Sequence, residues 1–159
     1  MQYPLQALLE LRIAAEKAAE VALTRANAAL AEREQEQRRL RLLLAELSQK
    51  RRQEIQKRAQ SLPTQIGGVL QEQAFLTGLA AAERDATNRA EQHRNTQLEP
   101  ARVEADAAMQ TLLECRREKQ ALEKHREKLE AEEQLKSARR SEDEASDLAN
   151  ASHHRSRGQ

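Results

Sequence analysis

Residues able to break a helix cluster at one place in this chain. Of 159 residues only three are proline and four are glycine, and Ser61-Leu62-Pro63-Thr64-Gln65-Ile66-Gly67-Gly68 gathers three of those seven in a stretch without charge. Proline and glycine stop helices, so this segment reads as the one turn of the molecule, spanning about residues 62–68. On either side of it strong helix formers dominate. Ala, Leu, Glu, Arg and Lys fill 99 of the 159 positions, whereas Val and Ile together fill six, which makes an extensive β-sheet untenable.

The apolar pattern has the period of paired helices. After Pro4, small and apolar positions recur at Leu5, Leu8, Arg12, Ala15, Ala19, Ala22 and Ala26, and from Leu30 the pattern continues through Arg33, Gln37, Leu40, Leu44, Leu47, Arg51, Ile55, Arg58 and Leu62, with extra four-residue steps near Ala26 and Arg51. Beyond the turn a second seam passes through Leu98, Ala105, Leu112, Cys115, Lys119, Leu122, Arg126 and Leu129. The fold expected is all-α: a long two-helix antiparallel coiled-coil hairpin. Helix 1 would cover about 4–61 and rise about 90 Å, and helix 2 about 69–150 with a rise of roughly 120 Å, before a frayed tail at 151–159. Pro100 should interrupt and bend the second helix.

Composition narrows the function. Alanine brings too little surface to fill the middle of a globule, so a narrow seam is possible but a deep, water-excluding pocket is not. An enzyme is therefore not expected, nor a cofactor. The four histidines lack the spacing of a closed metal site, and Cys115 is the chain's one cysteine, so neither a metal centre nor a disulfide framework is expected. No basic leader opens the sequence and no stretch is long and apolar enough to span a bilayer, which predicts a cytoplasmic protein without direct membrane insertion. Residues 33–58 carry nine Lys and Arg, but four interleaved Glu and the lack of stacking aromatics argue against nucleic acid.

Two segments stand out as candidate contact surfaces. From Ala59 to Ala82 the chain has one charge, Glu72, together with Leu70, Phe75, Leu76 and Leu79. A two-helix hairpin offers no third element to cover such residues, so they form either a partner site or a tip packed on itself. Between Arg116 and Arg140 lie nine basic and six acidic residues, several of them on the seam. These are either solvated beyond the end of the partner helix or meant for a different, charged protein surface.

Tyr3-Pro4-Leu5-Gln6-Ala7-Leu8-Leu9-Glu10-Leu11-Arg12, followed by an Ala-rich helix laced with Glu and Arg, resembles the FliJ/YscO family of type III export stalk proteins. The segment from Leu112 to Lys128 looks like that family's "ALEKLRER" region, and Arg140, Glu142 and Asp147 fall where it shows an "RxExxxxD" pattern. Asp143, Glu144 and Ser146 depart from it, where Gln, Lys and Leu are more typical. The resemblance implies a non-enzymatic central stalk of a virulence-type export apparatus, peripheral to the inner membrane. Its paired termini would enter a hexameric type III secretion ATPase through Arg116, Lys119, Lys124, Arg126, Glu142 and Asp147. Leu70, Phe75, Leu76 and Leu79 would meet an export-gate membrane protein, and secretion chaperones are further partners that the resemblance implies. The alternative reading is a generic coiled-coil scaffold or adaptor.

Overall fold

The computed structural model describes residues 3–61 and 66–157, and among these there is no strand. Helix α1 runs Gln6–Gln60, α2 runs Ile66–His93 and α3 runs Glu99–Arg157. A π-helical turn, Arg94–Leu98, joins α2 to α3 without leaving the helical region of backbone space, so the two form one continuous second arm. The antiparallel sense is visible in cross-arm contacts. Tyr3 meets His125 and Arg12 meets Glu118, while further along α1 Gln37 meets His93 and Arg58 meets Glu72, the partner number falling as the α1 number rises. The fold is the expected all-α helical hairpin.

The ends of the elements differ from the sequence reading by a few residues. Pro4 sits in a turn closed by the Gln6 amide on the Tyr3 carbonyl at 3.0 Å, so α1 starts just after it. At the other end the Ser61 amide reaches the Lys57 carbonyl, and Lys57 and Arg58 place positive charge where the helix dipole is negative. Residues 62–65 of the expected turn lie outside the described residues, and Gly67 and Gly68 belong to the first turn of α2. The backbone stays helical to Arg157, past the fraying expected from residue 151, because no proline or glycine intervenes before Gly158.

Pro100 is accommodated by the π-helical turn. Lacking an N–H, it cannot bond the carbonyl four residues back, and in a regular helix its ring would press on that carbonyl. Here the Glu99 amide reaches back to the Arg94 carbonyl, five residues away, which widens the turn just ahead of the proline. The extra residue also keeps the seam in phase. Enclosed positions along this arm run Ala86, Ala90 and His93, then step by five to Leu98 before resuming at Ala101 and Ala105.

Two compact units divide the hairpin, Ala19–Thr111 and Met1–Ala18 with Leu112–Gln159. Alanines dominate the seam of the first: Ala19, Ala26, Ala86, Ala90 and Ala105 are buried with Leu98, flanked by half-buried Leu23, Leu30, Leu40, Leu44 and Leu47. At its centre is a polar layer. Gln37, only 6% exposed, donates from Nε2 to the Ala90 carbonyl at 3.3 Å and accepts at Oε1 from His93 Nδ1 at 2.8 Å. That arrangement requires the Nδ1–H tautomer of His93 and leaves its enclosed Nε2 without a hydrogen-bond partner. In the second unit the seam is Tyr3, Leu9 and Leu112, with Ile13, Ala15, Cys115, Leu122 and Leu129 half-buried.

The predicted start of the first seam is corrected. Leu5 and Leu8 are each 37% exposed, while Leu9 is 2% exposed and Tyr3 is buried against α3. Ile55 likewise lies outside the seam, which passes through Arg51, Glu54 and Arg58. Leucines or their neighbours fit either phase by type, and contact with the opposing arm selects one.

Truncating Gln37 to alanine would strand the His93 Nδ1–H in the seam, so Gln37→Ala is expected to cost about 1–3 kcal/mol in urea denaturation. Replacing the whole layer, Gln37→Leu with His93→Leu, is expected to leave stability within about 1 kcal/mol of the parent or to raise it. Equal losses in both variants would show that these polar bonds are not what makes Gln37 important.

Candidate functional site

In the unit built from the start of α1 and most of α3, Glu16 organises the charges. Its carboxylate accepts from Lys119 Nζ at 2.6 Å and from Arg116 Nε at 3.1 Å, while Arg12 pairs with Glu118 at 2.7 Å. With its side chain only 13% exposed, Glu16 lies against the seam and draws both cations across the helix pair. The hydrogen bond from Lys119 holds the Glu16 carboxyl below its usual range; partial burial opposes this, and the charges of Lys119 and Arg116 add to it. The same hydrogen bond pushes the Lys119 ammonium up.

Tyr3 fastens the end of this unit. Its hydroxyl donates to the Leu122 carbonyl at 3.2 Å, and with that proton committed it accepts from His125 Nδ1 at 3.0 Å. The two rings lie 5.9 Å apart in a tilted arrangement. Beside Tyr3 an open groove of about 630 Å³ follows α3, lined by Arg126, Leu129, Glu133 and Gln134. Arg126 Nε lies 3.4 Å from Glu130.

Beyond the groove α3 continues without a covering element. Each residue from Glu130 to His153 is exposed, including Glu142 and Asp147, whereas Leu129 is still half-buried. Of the six charged residues that the resemblance points to, Arg116 and Lys119 are engaged with Glu16 and Arg126 lines the groove. Lys124, Glu142 and Asp147 are exposed. Sequence reasoning missed Glu16 as the centre of this cluster. Its signal was available only as an acid on the α1 seam, and the register that sets it against Lys119 is a property of the pair.

The apolar candidates lie at the start of α2. Leu70 is 66% exposed and Phe75 56% exposed, while Leu76 and Leu79 are half-buried toward the seam. Phe75 and Leu76 line a recess of about 190 Å³ with Glu54, Lys57, Arg58 and Glu72, so a charged rim borders the apolar surface. Among the described residues no group of His, Cys, Asp and Glu is placed to hold a metal ion, and no helix is long and apolar enough to cross a membrane.

Both units leave surface uncovered: charged helix on α3 in one, and the apolar face around Phe75 in the other. The model of the YscO-like protein family matches residues 1–158, and the chain belongs to that family, which associates it with the type III secretion apparatus. Its fold is similar to the solved structure of a protein described as a YscO homologue, CT670 from Chlamydia trachomatis, with a TM-score of 0.78 at 18% identity over 97% of this chain and 96% of that one. No curated protein matches the chain at a significant level.

The Glu16–Lys119 pair has a defined pH signature. A carboxyl whose pKa falls on folding adds stability above its unfolded pKa and loses it as pH falls through the folded value. An ammonium whose pKa rises adds stability below its unfolded pKa and loses it as pH rises through the folded one. The pair therefore supports the fold across the neutral range. Glu16→Gln is expected to lower the melting temperature near pH 7, with the difference from the parent shrinking as the pH falls below the ordinary carboxylate range. A difference undiminished in acid, followed by circular dichroism, would exclude an electrostatic origin.

Proposed function

We propose that this YscO-like protein acts as the non-enzymatic central stalk of a type III export apparatus, with the charged part of α3 entering the hexameric secretion ATPase and the Phe75 surface meeting the export gate. The observation that carries the reading is the uncovered stretch of α3 from Glu130 to His153, a helix whose residues are exposed and strongly charged in a member of this family. Long-range charge complementarity steers encounter and fixes orientation, which suits a shaft held loosely in a ring. On this reading Lys124, Arg126, Glu142 and Asp147 face the ring with Arg116, and Lys119 acts chiefly by holding the helix pair through Glu16. Leu70, Phe75, Leu76 and Leu79 form the gate contact. Secretion chaperones are further candidate partners, and the working location is the cytoplasmic side of the secretion apparatus. A stalk bound more tightly by some nucleotide states of the ring than by others shifts the ring toward those states and stabilises the assembled hexamer.

The decisive measurement is the hydrolysis rate and oligomeric state of the cognate secretion ATPase with and without the purified chain. Stimulated hydrolysis and a larger assembly are expected with the parent, and both are expected to be lost with Glu142→Lys combined with Asp147→Lys. No binding by a folded, helical chain would leave a coiled-coil adaptor as the function.

For the second surface, Phe75→Ala is expected to abolish secretion in cells while leaving helicity and ATPase binding intact, because more than half of Phe75 is open to a partner. Normal export by that variant would remove the gate contact.

A further inference from the structure

Past the end of its partner helix, α3 carries charged and polar residues at the positions that the spacing of its seam reaches next. Leu112, Cys115, Lys119, Leu122, Arg126 and Leu129 are buried or half-buried at alternating steps of three and four. The same steps continue without a break through Glu133, Lys136, Arg140, Asp143, Asp147 and Asn150, all of them exposed. A polar stripe in phase with the paired part thus runs on for about 30 Å with no helix against it.

The order of charges on this stripe selects one occupant. In a parallel, in-register pair each of these positions would face its own copy, setting Lys136 on Lys136, Arg140 on Arg140, Asp143 on Asp143 and Asp147 on Asp147. Antiparallel coiled coils instead set the two alternating seam positions across from one another. With the two-fold axis between Ser141 and Glu142, Lys136 meets Asp147 of a second copy, Arg140 meets Asp143 and Glu133 meets Asn150, and each pairing occurs twice. Sliding by one heptad in either direction loses the match: one way Asp143 meets Asp147, the other way Glu133 meets Asp143 and Lys136 meets Arg140. Opposite charges at facing positions attract and like charges repel, so orientation and register are both specified.

Space is available for that helix. The open groove beside Tyr3 is lined by Leu129, Glu133, Gln134 and Ser137, so it lies along the same stripe where the track of α1 ends. In the matched register Asn150 of the second copy lies opposite Glu133, and the last turns of its helix, to Arg157, follow the groove toward Arg126.

We infer that the stripe from Glu133 to Asn150 on α3 is a self-recognition surface, through which two copies of this chain associate antiparallel in the absence of other partners. The contact is polar and therefore weak, reversible and salt-sensitive, since exposed ion pairs are screened within about 10 Å at moderate ionic strength. It does not rest on the proposed ring contact, and it is tested on the full chain alone.

Sedimentation of the parent chain over a concentration series at low salt is expected to show a monomer–dimer equilibrium that shifts to monomer at high salt. Lys136→Glu and Asp147→Lys are each expected to weaken the dimer at least about tenfold, because each sets like charges together twice. The double variant Lys136→Glu with Asp147→Lys restores association, as does mixing the two single variants in equal amounts. Arg140→Glu with Asp143→Arg gives the same pattern at the adjacent layer. All four side chains are exposed, so helicity by circular dichroism stays at the parental level. A chain that remains monomeric throughout, a dimer indifferent to the single substitutions, or a double variant as weak as the singles would overturn the inference.

Discussion

Everything in this molecule depends on a seam too thin to be a core. In the Ala19–Thr111 unit the helices face each other mainly across alanines, in the other across Tyr3, Leu9, Leu112 and their half-buried neighbours, and outside those lines nearly every described side chain is in water. A narrow stripe of small residues brings the backbones close but contributes modest apolar area, so pairing relies on length, with many weak layers repeated along both arms. The polar layers then carry information that the alanines cannot. An alanine seam is nearly the same after a shift of one heptad, whereas Gln37 with His93, Arg51 with Glu83 and Glu16 with Lys119 each match in one register. Buried or half-buried polar contacts of this kind cost stability if misaligned and thereby specify alignment.

The π-helical turn shows how such a long seam tolerates a proline. A regular helix at Pro100 would lose a hydrogen bond and strain a carbonyl, and a kink there would lift the arm from its partner. One extra residue between His93 and Leu98 solves the local problem, and it also resets the phase so that Leu98 and Ala105 return to the seam. The proline and the five-residue step belong to one adaptation.

The seam leaves two kinds of surface uncovered. Charge on the extended part of α3 and apolar surface around Phe75 are different currencies of recognition: the first is tunable by salt and orients a partner at a distance, the second acts only on contact. Membership of the YscO-like family associates the chain that carries them with the type III secretion apparatus. On the proposed ring contact and the proposed self-association, one stripe of charges would serve both, and the free and the assembled chain would compete for it.

The sequence by itself determined the helical class, the antiparallel hairpin and the seam of the second arm, where Leu98, Ala105, Leu112, Cys115, Lys119, Leu122, Arg126 and Leu129 are all buried or half-buried. Those follow from local propensity and from periodicity, both properties of one strand of text. The candidate surfaces were legible for a related reason, since an uncharged run and a charged seam are anomalies that composition alone displays. Only the tertiary structure decided which of two adjacent leucines faces inward, as at Leu8 and Leu9, where both fit by type and the opposing arm makes the choice. It also decided that Tyr3 closes onto Leu122 and His125, that Glu16 gathers Arg116 and Lys119, and that the arm widens ahead of Pro100. Each of these depends on which residues of two distant segments arrive side by side, and that register is set by the sum of many weak layers along the pair.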